Sequence, residues 1–167
     1  QALTEYSLGL MRRTEAKFIE FRTREPGLEG SETRSDLYAT FRRPITSDAE
    51  KNLKAIPRKQ RAVVRKAIQN QLNSVIDRDT DRFHRIYAAS VRDLGTPVFS
   101  RRYFRMLMDR FQNCTEILTV LDNGEPISAV LSFFFRDEVL PYYGGGTPRA
   151  RQLGANDLMY WELMSRG

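Results

Sequence analysis

Leu140-Pro-Tyr-Tyr-Gly-Gly-Gly146 and, four residues on, Arg151-Gln-Leu-Gly-Ala-Asn156 form the most informative part of this chain. An aromatic strand runs into three glycines, then into an Arg-x-x-Gly-x-Asn turn, then into the apolar helical pattern Leu158, Met159, Trp161, Leu163 and Met164. Glycine tolerates positive φ and close backbone approach, and a helix start presents unpaired N–H groups at the positive end of its dipole. Such a strand-to-helix junction suits an anion or a thioester-like acyl donor. The same three glycines are also what a plain flexible loop needs.

Working outward, the elements before this junction are readable. Ser74-Val-Ile-Asp77 is a short strand, and Asp79 or Thr80 caps a helix bearing Phe83, Ile86, Tyr87, Val91 and Leu94, which Gly95 ends. Ser100 caps a second helix with Phe104, Leu107, Met108 and Phe111. Strands over 117–121 and 126–135 flank Asp122-Asn-Gly-Glu125, whose Asn-Gly pair signals a type I′ hairpin. A third strand, Val139 to Tyr143, leads into the glycines. The order from residue 73 onward is β-α-α-β-β-β-α. Toward the other end, residues 2–16 read as a helix, and 17–22 and 38–45 as strands around a Pro- and Gly-containing loop. The first residue is not Met and the closing helical pattern stops at Gly167, so a fragment is expected.

Between these parts lies Lys51-Asn-Leu-Lys-Ala-Ile-Pro-Arg-Lys-Gln-Arg-Ala-Val-Val-Arg-Lys66, with seven Lys or Arg and no acidic residue. Pro57 suits the first turn of a helix. At helical spacing Val63, Val64, Ala67 and Ile68 share one arc, while Arg58, Lys59, Arg61, Arg65 and Lys66 fill the rest. A merely solvated helix usually mixes charge signs, so the one-signed face points to a polyanion. The whole chain agrees in sign: 27 Lys plus Arg against 21 Asp plus Glu give a formal charge of +6 over 167 residues. A hydrophobic content of 41% supports a real core.

Several chemistries are set aside. A single cysteine, Cys114, leaves no internal disulfide and no multi-cysteine metal site, so no metal is expected. The single histidine, His84, has no visible triad partner and reads as structural. The longest apolar run, Ala129 to Phe135, is too short to span a bilayer, and no secretory signal opens the chain, so the cytoplasm is the default location. Leu158, Trp161 and Met164 read as core, and Asp137 and Glu138 as a solvated turn.

The order of elements, with a phosphate-loop candidate between the third hairpin strand and its helix, resembles the first two thirds of a GNAT acyltransferase fold of α/β (α+β) class. In that family a loop of the form Gln/Arg-x-x-Gly-x-Gly/Ala binds the pyrophosphate of coenzyme A through backbone N–H groups. Arg151-x-x-Gly154-x-Asn156 matches the first two positions and departs at the third. A closer resemblance covers nearly the whole chain. Ile56-Pro-Arg-Lys-Gln-Arg61, Val64-Arg-Lys-Ala67, Ser90-Val-Arg-Asp-Leu-Gly-Thr-Pro-Val-Phe99, Val130-Leu-Ser-Phe-Phe-Phe135, the tyrosine–glycine run and Asn156-Asp-Leu-Met-Tyr-Trp161 resemble the FemAB-related proteins. More narrowly they resemble the branch associated with exosortase and PEP-CTERM exopolysaccharide systems. FemAB proteins have two tandem GNAT-like domains and transfer an amino acid from aminoacyl-tRNA to a peptidoglycan precursor. The resemblance implies that 1–46 is the C-terminal part of a first GNAT-like domain, 47–72 a basic connecting helix, and 73–167 the truncated N-terminal part of a second.

The implied donor, aminoacyl-tRNA or acyl-coenzyme A, and the implied acceptor, a nucleotide- or lipid-linked envelope precursor, are both rich in phosphate. Arg58, Lys59, Arg61, Arg65, Lys66 and Arg149 are the expected phosphate ligands, the guanidinium groups offering a planar fork. Transfer of an acyl group to an amine needs alignment and oxyanion stabilisation rather than a covalent intermediate. Gly144, Gly145 and Gly146 are expected to supply backbone donors, and Arg151, Gly154 and Asn156 to hold the donor's phosphates, Asn156 being equally a helix N-cap. Tyr142 and Tyr143 should alternate faces, one reaching the cleft as a hydrogen-bond donor or proton shuttle and the other packing inward. A coenzyme A-dependent N-acetyltransferase and a non-enzymatic RNA-binding module remain as alternatives.

Overall fold

The computed structural model describes residues 2–23, 30–37 and 39–166, and divides into two compact units, Gln1–Arg43 and Pro44–Gly167. The first holds helix α1 (Ala2–Arg13), three residues shorter than the helical pattern suggests because Thr14 and Glu15 form a turn, with Glu15 at φ 53°. Residues 17–22 and the described part of 38–45 are not strands. Alternation there meets no sheet partner among the described residues, and a strand without a ladder leaves its backbone groups to water. The Pro- and Gly-containing loop falls mostly outside the described residues.

The second unit carries α2 (Ala49–Ala55), α3 (Arg58–Gln69), β1 (Asn73–Asp77), α4 (Thr80–Asp93), α5 (Arg101–Arg110), β2 (Thr115–Asp122), β3 (Glu125–Phe135), β4 (Glu138–Gly146), α6 (Pro148–Leu153) and α7 (Ala155–Met164). The basic segment is therefore two helices. Pro57 starts the second: Ile56 stands at ψ 141°, the extended setting that a following proline enforces. Asp79 caps α4 by accepting from the amides of Asp81 and Arg82, and Ser100 caps α5 through Tyr103. Asn123 and Gly124 both take positive φ, as a type I′ hairpin requires.

The four strands form one antiparallel sheet in the order β1-β2-β3-β4. Successive residues point to opposite faces, so each face builds its own core. Leu118, Val120, Ile127 and Val130 meet Leu53 and Val64 from α2 and α3 and Leu158, Met159 and Leu163 from α7. Ile117, Ala129, Leu131 and Tyr143 meet Phe83 and Ile86 of α4 and Phe104 and Met108 of α5. Phe83 and Phe104 are fully buried at a centroid distance of 5.1 Å, and complete burial of each stabilises by roughly 2–3 kcal/mol. The result is a three-layer α+β unit. Leu158 is buried, while Trp161 and Met164 lie half-buried at its margin, where Trp161 Nε1 donates to the Ala49 carbonyl at 3.1 Å.

The three glycines belong to β4, not to a loop. Gly144, Gly145 and Gly146 pair with Val130, Ala129 and Ser128. Likewise 151–156 is not an open turn: Arg151 lies in α6, and Gly154 at φ 75° joins α6 to α7. Thr147 caps the six-residue α6, its hydroxyl accepting from the Ala150 amide at 3.2 Å.

Candidate functional site

β4 is an edge strand, and no strand among the described residues pairs with its outer side. Which of its amides face outward follows from the ladder. The Phe134 amide donates to the Cys114 carbonyl at 2.7 Å and the Thr147 amide to the Ile127 carbonyl at 2.9 Å. Hydrogen-bonding direction alternates along an antiparallel strand, so even-numbered residues of β3 bond to β2 and odd-numbered ones to β4. With Ala129 opposite Gly145 and Leu131 opposite Tyr143, the N–H groups of Gly144 and Gly146 point away from the sheet. They lie two residues apart, about 7 Å, so they do not converge on one oxygen; they suit two acceptors along an extended ligand.

A bulge breaks the β3–β4 register between Leu131 and Ser132, leaving Tyr142 as the extra residue. The expected alternation of the two tyrosines fails for this reason. Their rings lie together, 4.7 Å between centroids, and Tyr142 also meets Phe133 at 6.0 Å on the α4–α5 face. Tyr142 is 55% exposed and Tyr143 only 8%. The Tyr143 hydroxyl shares a hydrogen bond of 2.7 Å with that of Tyr103 and is enclosed by Tyr87, Phe99 and Phe104. Burial first, and then the Tyr103 hydroxyl, push its pKa well above the ordinary tyrosine value. Tyr143 is thus the inward residue and Tyr142 the accessible one.

Close approach explains the glycines. A Cβ on Gly145 would lie 3.0 Å from Ser90 Cβ and 3.1 Å from Tyr87 Cα, so α4 presses directly on the strand. A Cβ on Gly146 would strike the side-chain amide of Asn156, whose Oδ1 accepts from the buried Ser128 hydroxyl at 2.7 Å. Asn156 therefore fastens α7 to the sheet and does not cap the helix, a place that Gly154 takes. Gly154 is itself buried, with Val63 Cγ1 2.5 Å from where its Cβ would be. The start of α7 is covered by α3.

The structure gathers part of the basic set. Arg58, Arg61, Arg65 and Lys66 line an open depression of about 400 Å³ on α3, together with Ala62 and Gln69; Lys59 is exposed outside it. Arg61 is partly committed, its Nη2 donating to the Ile56 carbonyl at 3.2 Å. Arg149 pairs with Asp122 at 2.8 Å, while Arg151 is exposed on α6. Sequence reasoning missed Tyr160, whose hydroxyl lies 3.2 Å from the position a Cβ on Gly144 would take. Desolvation raises its pKa, keeping it a hydrogen-bond donor at neutral pH. Nothing in its sequence position marks it out, and only the packing of α7 on the sheet brings it to the strand edge. No trio of His, Cys, Asp or Glu that could hold a metal gathers among the described residues. Among them, too, no helix is long and apolar enough to cross a membrane.

No curated protein matches this chain. Residues 51–167 match the model of the acetyltransferase (GNAT) domain, which covers every element from α3 through α7 and most of α2. An antiparallel sheet with helices on both faces, a bulged fourth strand and acyl transfer as the family's chemistry belong together here: the chain is a member of the GNAT acetyltransferase domain family.

Proposed function

We propose that this protein is an acyl or aminoacyl transferase of FemAB type, working in the cytoplasm and forming an amide on a cell-envelope or exopolysaccharide precursor. The observation that supports this reading most is the outer edge of β4, where the Gly144 and Gly146 amides face away from the sheet beside the Tyr160 hydroxyl. One amide and that hydroxyl offer two donors to an acyl carbonyl, and the second amide, about 7 Å along, offers one to a further acceptor in the donor's arm. The acyl donor supplies an activated carbonyl; the protein aligns it with a neutral amine and stabilises the developing oxyanion. Tyr142, exposed beside the bulge, is our candidate to relay the proton lost by the attacking amine to the departing sulfur or oxygen of the donor, while Tyr143 holds the aromatic wall. Arg58, Arg65 and Lys66, with Arg61, offer the donor's phosphates a cationic groove.

The donor is aminoacyl-tRNA or acyl-coenzyme A. Membership of the acetyltransferase family favours the second as an alternative, a coenzyme A-dependent N-acetyltransferase. Calorimetry at low salt with coenzyme A, acetyl-coenzyme A, tRNA and aminoacyl-tRNA tests both. Saturable binding of one donor class, weakened several-fold by Arg58→Gln with Arg65→Gln and further by added salt, is the expected result. Absence of binding to all four ligands, or affinity indifferent to those substitutions, overturns the proposal.

A further inference from the structure

The turn from Gly95 to Val98 takes no part in the site on β4, yet it shapes the larger of the two depressions described in the second unit. Arg85, Ala88, Ala89 and Arg92 of α4 form one side of a pocket of about 570 Å³, and Gly95 through Val98 form the other. Two alanines leave room for a ligand against the helix backbone, and Pro97 and Val98 add an apolar wall. Arg85 and Arg92 stand two turns apart on the same face, about 10 Å along the helix axis.

The wall is rigidly built. Gly95 ends α4 at φ 70°, and the amides of Leu94, Gly95 and Thr96 donate back to the carbonyls of Val91 and Arg92 at 2.9 to 3.2 Å. The next turn is tied down by His84 Nε2 and the Phe99 carbonyl, 3.0 Å apart. Neighbouring cations are already engaged: Arg82 with Asp77 and Asp79, Arg101 and Arg105 with Asp81. Arg85 has no such partner among the described residues. Arg92 touches Asp93 at 3.6 Å, a solvent-exposed pair that contributes little and leaves the guanidinium able to turn to another anion.

We propose that this pocket binds a small anionic ligand: an oxyanion held between Arg85 and Arg92, with a compact ring or chain lying on Ala88 and Ala89 against Pro97 and Val98. The opposite face of the same helix, at Tyr87 and Ser90, presses on Gly145 of β4. A ligand in the pocket therefore sits on the helix that covers the strand carrying the outward amides. That the pocket binds an anion does not depend on the transferase reading.

The test titrates glucose 1-phosphate and glucuronate into the full chain, following amide shifts by NMR and heat by calorimetry. Glucose 1-phosphate and glucuronate distinguish a phosphate from a carboxylate as the recognised group. Saturable binding of either is expected, with shifts at Ala88, Ala89 and Thr96, weakened at least tenfold by Arg85→Gln with Arg92→Gln. Ala89→Leu, which fills the pocket and keeps both charges, should weaken it as much. Arg110→Gln, an exposed cation outside the pocket, should not. Absence of saturable binding, or equal loss in Arg110→Gln, or full affinity in Ala89→Leu, overturns the proposal. If these ligands bind while no acyl donor does, the transferase reading fails and the pocket stands; if donors bind and these ligands do not, the reverse holds.

Discussion

Replacing the glycines of β4 one at a time by alanine separates close approach from flexibility, because the three positions meet different obstacles. At Gly145 the new methyl group lies 3.0 Å from Ser90 Cβ, 3.1 Å from Tyr87 Cα and 3.3 Å from the Ile86 carbonyl oxygen. Two of these atoms are backbone, so α4 must shift bodily by a few tenths of an ångström, and its fully buried Phe83 must shift with it. Overpacking of this kind costs about 1–3 kcal/mol. Loss of glycine's freedom in the unfolded chain returns about 0.4–1 kcal/mol, leaving Gly145→Ala destabilised by roughly 1–2 kcal/mol. At Gly144 the methyl group meets only the end of the Tyr160 side chain at 3.2 Å, which swings aside, so Gly144→Ala should be neutral or slightly stabilising. Urea unfolding followed by circular dichroism reads the difference: at a slope of about 1–3 kcal/mol per molar, Gly145→Ala lowers the midpoint by several tenths of a molar or more, and Gly144→Ala does not lower it. Equal midpoints for the two variants would refute the argument, because a flexible segment makes no distinction between neighbouring glycines.

The junction between α6 and α7 makes a second, separable prediction. Gly154→Ala meets both a positive φ, worth about 1–2 kcal/mol, and Val63 Cγ1 at 2.5 Å, so it should destabilise by roughly 2 kcal/mol or more. Val63→Ala in the same chain should recover part of the loss, and a purely additive double variant would show that the contact contributes nothing. Alkaline pH probes the tyrosine pair. The folded pKa of Tyr143 is raised, so the stability it contributes is full below the unfolded value near 10 and is lost as pH rises above it. Unfolding midpoints should therefore fall between about pH 10 and 11, less steeply in Tyr143→Phe, and an identical pH dependence in that variant would show that other groups carry the effect.

The succession of elements from β1 to β4, with α7 closing it, was legible because each carries a local signal; α6 was not, its residues reading as a turn. Asp79 and Ser100 are caps, Gly95 is a helix stop, Asn123-Gly124 is a hairpin turn, and strand and helix periods differ along the chain. Membership of the GNAT family was legible for the same reason, as an order of elements. The alternation at 17–22 and over the described part of 38–45 misled, since pleat periodicity becomes a strand only where a partner completes the ladder, and none does so among the described residues. The tyrosine pair misled as well: a bulge is created by register against a second strand, and a single strand read alone shows no sign of it.

Residue chemistry in one dimension was enough to mark the one-signed basic segment and the run of three glycines, because charge and the absence of a Cβ are properties of each residue alone. Three-dimensional packing settled what those glycines are for. They admit α4, Asn156 and the Tyr160 hydroxyl to the backbone, and those neighbours come from positions as far as 59 residues away in the chain, from Ile86 to Gly145. Packing also settled which amides look outward, since hydrogen-bonding direction belongs to the ladder and not to any residue in it.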